Sequence, residues 1–137
     1  MISMGGIKEI LMKEGGSAQR LVDSGIDTTE KLLEVAATKK GRRDLAKKTR
    51  IPQSLLLRWA NLADLLRVKG IWKKYMNLLK EAEVVSISEL SIKDPEELHA
   101  KIIETNENKR LVKRDPRLSD VQSWIEQSKQ LPVVVEQ

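Results

Sequence analysis

The sequence has no cysteine and no phenylalanine, and His99 is its only histidine. Without thiols the chain can form neither a disulfide nor a thiolate metal site, and one imidazole argues against a histidine-rich metal centre. The lack of cysteine also favours a cytoplasmic location. Because one tyrosine and three tryptophans are the only aromatic residues, we expect the core to consist mainly of leucine, isoleucine, valine and alanine.

Long apolar runs are missing as well. No stretch of about 20 apolar residues is present, and the opening residues, MISMGGIKEI, lack the basic segment and apolar core of an export signal. We therefore expect no association with a membrane. At 137 residues the chain is long enough for one domain, or for two halves packed as one globular unit.

Motifs that carry known chemistry are a third absence. The sequence has no GxxxxGK(S/T), no GxGxxG and no Gly-x-Ser-x-Gly motif, and it has no nuclease-like cluster of Asp and Glu. Its acidic pairs, Glu81 with Glu83 and Glu96 with Glu97, suit the surfaces and starts of helices. We expect a protein without catalytic activity, cofactor or bound metal.

Positive charge, in contrast, is plentiful and clustered. Lys and Arg number 25 against 20 Asp and Glu, which gives a formal net charge of +5. Three basic runs, at residues 39 to 50, 67 to 74 and 109 to 117, hold 16 of the 25 basic residues. Such clusters favour an anionic partner such as nucleic acid, although basic residues at solvated helix ends would give the same pattern.

Apolar residues recur every three or four positions along most of the chain, which is typical of amphipathic helices. The longest such segment is IPQSLLLRWANLADLLRV, and Trp59 and Trp124 are expected to anchor the core. Helix starts are predicted at four places: Asp27 with Glu30, Ser86 with Glu89, Ser119 with Gln122, and Asp94 before Pro95. The charged segment NENKRLVKRDPR predicts a loop, or a single turn held by Leu111 and Val112. The sequence thus predicts an all-α fold of about eight to ten short helices.

Two parts of the chain resemble each other. Residues 17 to 33 parallel residues 75 to 91 at a spacing of 58 positions, and Ser54 to Trp59 parallels Ser119 to Trp124 at a spacing of 65. Two amphipathic helices always align to some degree, so duplication is one of two interpretations. On that interpretation the first repeat spans residues 1 to 66, the second spans residues 67 to 132, and residues 133 to 137 form a loosely held tail.

Several segments together resemble a known family: GIDTTEKLLEVAATKKGRRDLAKKTRI, LLLRWANLADLLRVKGI, KYMNLLKEAEVVSISEL, PEELHAKIIETN and VQSWIEQSKQLP. Over about residues 7 to 132, the chain is similar to a prokaryotic family of domains of unknown function built on tandem helix-hairpin-helix motifs. The resemblance implies an all-α, SAM-like compact bundle with a non-catalytic role. The motif, rather than an established property of the family, implies binding to nucleic acid.

A working helix-hairpin-helix turn has the pattern Gly-apolar-Gly, and its backbone N–H groups bind a phosphate at the start of the second helix. Gly70 and Ile71 match the first two positions, but Trp72 occupies the place of the second glycine. In the first repeat the equivalent turn falls on Met12 to Glu14, which contains no glycine. Only the second turn therefore keeps part of the phosphate-binding pattern.

The sequence predicts binding to DNA or another nucleic acid through its phosphate backbone, without sequence specificity. Trp72 is expected either to stack on a base or ribose or to pack against a neighbouring helix. The alternative function is a protein-interaction scaffold that has lost phosphate binding, with Trp72, Ile71, Val84 and Val85 as exposed apolar contacts. The candidate nucleic-acid-binding residues are Arg67, Lys69, Gly70, Ile71, Trp72, Lys73, Lys74, Arg42, Arg43 and Lys47.

Overall fold

The fold is helical throughout the part of the chain that is described. The computed structural model describes Gly6, Ile7, Leu11 and residues 17–137. Residues 17–137 form eight helices and no strand, and an isolated antiparallel bridge joins Gly6 to Thr28. The all-α prediction is confirmed. The helices are α1 (Ala18–Asp23), α2 (Thr29–Ala36), α3 (Lys39–Thr49), α4 (Gln53–Leu65), α5 (Lys73–Glu81), α6 (Ile87–Ser91), α7 (Pro95–Lys109) and α8 (Leu118–Gln130).

Contacts within the chain divide it into two compact units. The first unit comprises Met1–Asp64 together with Val134–Gln137, and the second comprises Leu65–Val133. Helix α4 begins in the first unit, and its last residue, Leu65, is the first residue of the second. The interpretation of residues 1 to 66 and 67 to 132 as two repeats stays a prediction. The predicted first turn, Met12 to Glu14, lies outside the described residues.

In the first unit, α2 packs against α3, and the tail of the chain joins them. Trp59 of α4 is fully buried, which confirms it as a core anchor. The sequence predicts a loosely held tail, whereas Val135 is buried and the Glu136 N–H donates to the Ala37 carbonyl at 2.8 Å. The Glu136 carboxylate also accepts the Lys39 N–H at 2.8 Å, at the start of α3. The tail is therefore anchored by specific hydrogen bonds.

In the second unit, α8 packs against α6 and α7, and α5 packs against α7. Trp124 of α8 is buried among these helices, which confirms it as a core anchor. The predicted loop NENKRLVKRDPR is wrong in its first part, because α7 continues to Lys109. Asn106 lies on the buried side of α7 and binds the backbone that follows the helix. A polar residue that faces inward interrupts the apolar pattern by which a helix is recognised.

Two of the four predicted helix starts are confirmed. The side chains of Ser86 and Asp94 accept the N–H group three residues on, at 3.1 and 3.0 Å, and cap α6 and α7. The other two predictions are wrong by one or two residues. Thr28 caps α2, because Asp27 instead forms an exposed ion pair with the residue one turn on. Helix α8 begins after Arg117, whose N–H donates to the Asp120 carboxylate at 2.9 Å.

Helices α1 and α5 end with the same cap, at positions 58 residues apart. Each cap contains one residue with positive φ, Gly25 at 93° and Glu83 at 68°. This is the Schellman arrangement, which favours glycine at that position, so Glu83 adopts a conformation that side chains disfavour. The matching hydrogen bonds run from the Ile26 N–H to the Leu21 carbonyl (2.9 Å) and from the Val84 N–H to the Leu79 carbonyl (2.8 Å).

Candidate functional site

The Gly70 turn, residues 66–72, follows α4 and precedes α5. Gly70 has a φ of 99°, a conformation that residues with a side chain rarely adopt. A Cβ atom at this position would lie 2.8 Å from Nε1 of Trp124, so the turn lies directly against that buried ring. Glycine is therefore required both by the backbone conformation and by the close approach to α8.

Two backbone donors of the Gly70 turn already have partners within the second unit. The Lys69 N–H donates to Oε1 of Gln127 at 2.9 Å, and the Ile71 N–H donates to the Val68 carbonyl at 3.2 Å. Nε2 of Gln127 donates to the Lys69 carbonyl at 3.0 Å, so one side chain holds both polar backbone groups of Lys69. An anion at this turn would therefore have to be bound by donors other than these two N–H groups.

Trp72 stands immediately before α5 as an exposed residue. Its backbone is extended, with φ of −119° and ψ of −175°, and its side chain does not cap the helix. The residue is 41% exposed, whereas Trp59 and Trp124 are 0% and 3% exposed. Trp72 is therefore partly covered but is not buried in a helix interface as the other two tryptophans are. Of the three tryptophans, it is the one that a ligand in solution can reach.

The loop after α7, residues 110–117, is held by one buried side chain. Oδ1 of Asn106 accepts the N–H groups of Leu111 and Val112 at 2.9 and 3.0 Å. Nδ2 of Asn106 donates to the Val112 carbonyl at 3.0 Å and to the Asp115 carboxylate at 2.8 Å. Four hydrogen bonds to one buried amide fix the course of the backbone. We call residues 110–117 the Asn106 loop.

Tyr75 connects the start of α5 with α8 and with the Asn106 loop. The centroid of its ring lies 5.4 Å from that of Trp124, with an angle of 51° between the two planes. Tilted aromatic pairs at this distance are favourable. The Tyr75 hydroxyl lies 3.5 Å from the Arg114 carbonyl oxygen, at the long limit for a hydrogen bond. Tyr75 is thus held by contacts within the second unit.

A groove lies between the start of α5 and the Asn106 loop, with Gly70 and Val112 in its lining. Its volume is about 540 Å³. No acidic residue is found among the described residues that line it. We call it the Trp72 groove. The other lining side chains are two aromatic and four basic ones: Trp72, Tyr75, Lys73, Lys74, Lys113 and Arg114.

A second groove borders the Trp72 groove and has a volume of about 750 Å³. Lys74 and Lys113 line both grooves. In the second groove Arg110 adds a positive charge, while Glu107 and Asp115 add two negative ones. Positive charge is therefore less opposed in the Trp72 groove than in its neighbour.

The predicted residues of the second unit have different surroundings. Four of them line the Trp72 groove: Gly70, Trp72, Lys73 and Lys74. Lys69 is exposed and Arg67 is half-buried, and neither is part of the lining. Ile71 is buried, because this apolar residue of the turn faces the core between two exposed neighbours. This burial corrects the prediction that Ile71 contacts a ligand.

The predicted residues of the first unit lie in α3. Arg43 and Lys47 are exposed. Arg42 is only 3% exposed, and its guanidinium donates to the Ala36 carbonyl at 2.8 Å, to the next carbonyl at 3.0 Å, and to the Glu136 carbonyl. These carbonyl oxygens take the place of the water molecules that the guanidinium loses on burial. Arg42 is thereby removed from the residues that an external ligand can contact, which corrects its place among the candidates.

Lys113 and Arg114 are absent from the residues predicted from the sequence, although both belong to the third basic run. The spacing between matching parts of the chain grows from 58 to 65, which indicates additional residues between the matched helices of the second unit. Those residues lie in the longer α7 and in the Asn106 loop. Lys109, also in this run, forms an ion pair with Glu81 at 3.2 Å, which reduces the charge that it offers to a ligand.

Each unit has an exposed ion pair that lowers the pKa of its carboxyl group. Nζ of Lys101 lies 2.9 Å from the Glu83 carboxylate, and the hydrogen bond and positive charge of Lys101 lower the pKa of Glu83. In the same way, a hydrogen bond from Lys31 at 2.9 Å and its charge lower the pKa of Asp27. Both carboxylates are therefore charged at neutral pH.

The described residues offer no alternative site based on a metal. Within them, no three His, Cys, Asp or Glu side chains are grouped so that they could hold an ion. Nε2 of His99 lies 3.0 Å from the Pro116 carbonyl oxygen, which gives this imidazole a partner inside the second unit. In the same part of the chain, no helix combines the length and apolar character needed to cross a bilayer.

A protein-family model matches most of the chain. The family is described as a domain of unknown function (DUF4332), and the match covers residues 14–131. The matched range includes all eight helices, from α1 to α8. No curated protein and no solved structure gives a significant match.

Proposed function

Because the chain belongs to a family of domains of unknown function (DUF4332), its role must be argued from its own residues, and we propose that its second unit binds the phosphate backbone of nucleic acid. The protein is a non-catalytic helix-hairpin-helix module that binds DNA without sequence specificity. The observation that carries this proposal is the Trp72 groove, where two distant basic runs contribute to one surface with no described acidic residue in its lining.

The charge of the groove supports an anionic ligand. Lys74, Lys113 and Arg114 are exposed, although Lys113 and Arg114 lie about 40 positions further along the chain. Each cation that contacts a phosphate displaces condensed counterions from the nucleic acid, which supplies a large part of the binding free energy. Grouping these cations on one groove lets a single strand of phosphates meet several of them.

The Gly70 turn supports binding to the phosphate backbone, but it differs from the ideal hairpin in its backbone donors. In the ideal hairpin, backbone N–H groups bind the phosphate, but two donors of this turn are used by Gln127 and Val68. The lysine and arginine side chains that line the groove supply the contacts to phosphate that these two donors do not make. Such contacts carry no information about base identity, so the binding is not sequence-specific.

The matched caps of α1 and α5 support the interpretation as tandem helix-hairpin-helix repeats. The helices that follow, α2 and α6, also begin 58 residues apart, after Thr28 and Ser86. Helices α4 and α8 each have 13 residues and begin 65 residues apart. The equal caps, the helix starts at constant spacing and the equal lengths of α4 and α8 favour duplication over the chance alignment of two amphipathic helices.

The scaffold function has less support. Two of its expected apolar contacts, Ile71 and Val84, are buried, and Val85 is half-buried. Trp72 remains exposed, but it stands in a groove with four basic side chains. That lining suits an anionic ligand better than the apolar face of a protein.

Titration with a labelled DNA duplex at two salt concentrations tests the proposal, with fluorescence anisotropy as the measurement. We expect binding at low salt that weakens steeply as salt rises. Contacts to three phosphates would give a slope of about −2.7 in a plot of log K against log salt. Absence of binding at low salt, both of this duplex and of a single strand of the same length, would overturn the proposal.

A pair of double variants tests which surface binds. Lys74→Glu with Lys113→Glu reverses two charges of the Trp72 groove, and we expect affinity at low salt to fall by at least about tenfold. Arg43→Glu with Lys47→Glu makes the same change in net charge on exposed positions of α3. If the α3 variant loses binding and the groove variant keeps it, the groove is the wrong surface.

A further inference from the structure

We propose that the Trp72 groove prefers single-stranded nucleic acid, with one base stacked on the Trp72 indole and the adjoining phosphates bound by the surrounding basic side chains. This inference rests on the proposed function and narrows its ligand. In a duplex the faces of the bases are covered by their stacked neighbours, so only an unpaired strand offers a base to the indole.

The two aromatic residues of the groove have different roles. Tyr75 is half-buried, its ring is paired with that of Trp124, and its hydroxyl lies near the Arg114 carbonyl. It shapes the wall of the groove. Trp72 is 41% exposed and is not part of that ring pair. An exposed indole beside cations is the combination by which proteins bind unpaired strands without reading their sequence.

The Trp72 side chain also disfavours close approach of a duplex to the turn. In the ideal hairpin a glycine at this position lets the backbone of the nucleic acid approach the turn. Here an indole stands at that position, two residues after Gly70, and Gly70 itself lies against Trp124. The residue that blocks the usual approach is thus the one that offers a stacking surface.

The positions of the cations suit a stacked nucleotide. Lys74, Lys113 and Arg114 line the same groove as Trp72, so a ligand in the groove can contact both the ring and these cations. The phosphates on either side of a stacked base stay close to that ring, where these side chains can bind them. The groove volume of about 540 Å³ lies within the range of pockets that hold small molecules, about 300–1,000 Å³.

Both walls of the groove are held in place by the protein itself. Gln127 fixes the backbone of Lys69 in the Gly70 turn. Asn106 fixes the backbone of Leu111 and Val112 in the Asn106 loop. Because these walls need no ordering when a ligand binds, less of the binding free energy is lost to immobilisation.

Three DNA ligands separate stacking from backbone binding: a thymidine oligomer of about 12 nucleotides, an abasic strand of the same length, and a duplex. Trp59 and Trp124 are at most 3% exposed, so quenching of tryptophan fluorescence reports mainly on Trp72. We expect the thymidine oligomer to quench the fluorescence and to bind more tightly than either other ligand.

Variants of Trp72 complete the test. Trp72→Ala should weaken binding of the thymidine oligomer by about 5- to 100-fold, and it should leave the affinity for the abasic strand unchanged. Trp72→Phe keeps an aromatic face and should retain most of the affinity. Ile92→Ala removes an apolar side chain that is 81% exposed and is not part of the groove lining, and it should change nothing.

The outcomes distinguish failure of the proposed function from failure of the preference for single strands. If none of the three ligands binds at low salt, the proposed function fails. If all three bind equally well and Trp72→Ala changes none of the affinities, backbone binding stands and the preference for single strands is overturned. Tighter binding of the duplex than of the thymidine oligomer also overturns it.

Discussion

In their described parts, the two units differ in the connection that leads to the helix with the buried tryptophan. In the first unit, α3 has 11 residues and residues 50–52 lead to α4. In the second, α7 has 15 residues and residues 110–117 lead to α8. Helices α3 and α7 are each followed by an arginine with positive φ, Arg50 and Arg110, whose N–H donates to the carbonyl four residues before it. That earlier residue is Ala46 in the first unit and Asn106 in the second.

This difference shows where the candidate site comes from. The shared parts, the caps and the buried helices, supply a scaffold in each unit. The longer connection supplies the third basic run and one wall of the Trp72 groove. A groove of similar size, about 550 Å³, lies beside Gly25 in the first unit, where Lys31 and Lys48 are balanced by Glu34 and Asp44. The longer connection thus adds Lys113 and Arg114 to a groove that has no acidic residue among its described lining residues.

Removing the side chain that holds the Asn106 loop should have the largest effect. Asn106→Ala deletes four hydrogen bonds and leaves backbone groups of the loop without partners. We expect the free energy of unfolding to fall by about 3–5 kcal/mol, and nucleic-acid binding to weaken with it. Urea denaturation measures the change. The exposed neighbour variant Asn108→Ala should stay within about 0.5 kcal/mol, and an equal loss from both variants would contradict the role of Asn106.

A matched pair of glycine variants compares the turns of the two units, and we expect a loss of stability smaller than that of Asn106→Ala. Gly25 and Gly70 have φ of 93° and 99°, but only at Gly70 does an added Cβ meet another residue. We expect Gly25→Ala to cost about 1 kcal/mol through backbone conformation, and Gly70→Ala to cost about 2–3 kcal/mol because the Trp124 ring must also move. Thermal and urea unfolding of both variants would show the difference. Equal costs would mean that the contact with Trp124 is not constraining.

The smallest effect concerns the ion pair at the cap of α5. Lys101 lowers the pKa of Glu83 in the folded protein, so the pair stabilises the fold at neutral pH. That contribution should be lost as the pH falls below about 4 and the carboxylate is protonated. Unfolding curves of the wild type and of Glu83→Gln should therefore differ slightly at pH 7 and converge in acid. A difference that persists at low pH would assign it to something other than this charge.

Much of the fold follows from local patterns in the sequence. The apolar spacing predicts the helices and the two buried tryptophans, and the positions of Ser86 and Asp94 predict two caps that are observed. These features depend on residues a few positions apart. The end of α7 is missed because Asn106 turns a polar side chain inward, toward a loop that only the folded chain brings to it.

The candidate site is less predictable because it depends on contacts between distant residues. The Gly70 turn stands out in the sequence, but nothing local indicates that Lys113 and Arg114 lie across a groove from it. Arg42 and Arg43 are adjacent in the same basic run, yet the tail of the chain binds and buries Arg42 and leaves Arg43 exposed. A run of basic residues predicts charge, whereas the tertiary fold decides which of those charges a ligand can reach.

The central claim is that the Trp72 groove of the second unit is the site of nucleic-acid binding. Amide chemical shifts of the whole protein, followed by NMR while a thymidine oligomer is added at low salt, test it most directly. We predict that the largest changes occur at residues 69–75 and in the Asn106 loop, on the two walls of the groove. Changes confined to residues 39–50 of α3 and its end would contradict the claim.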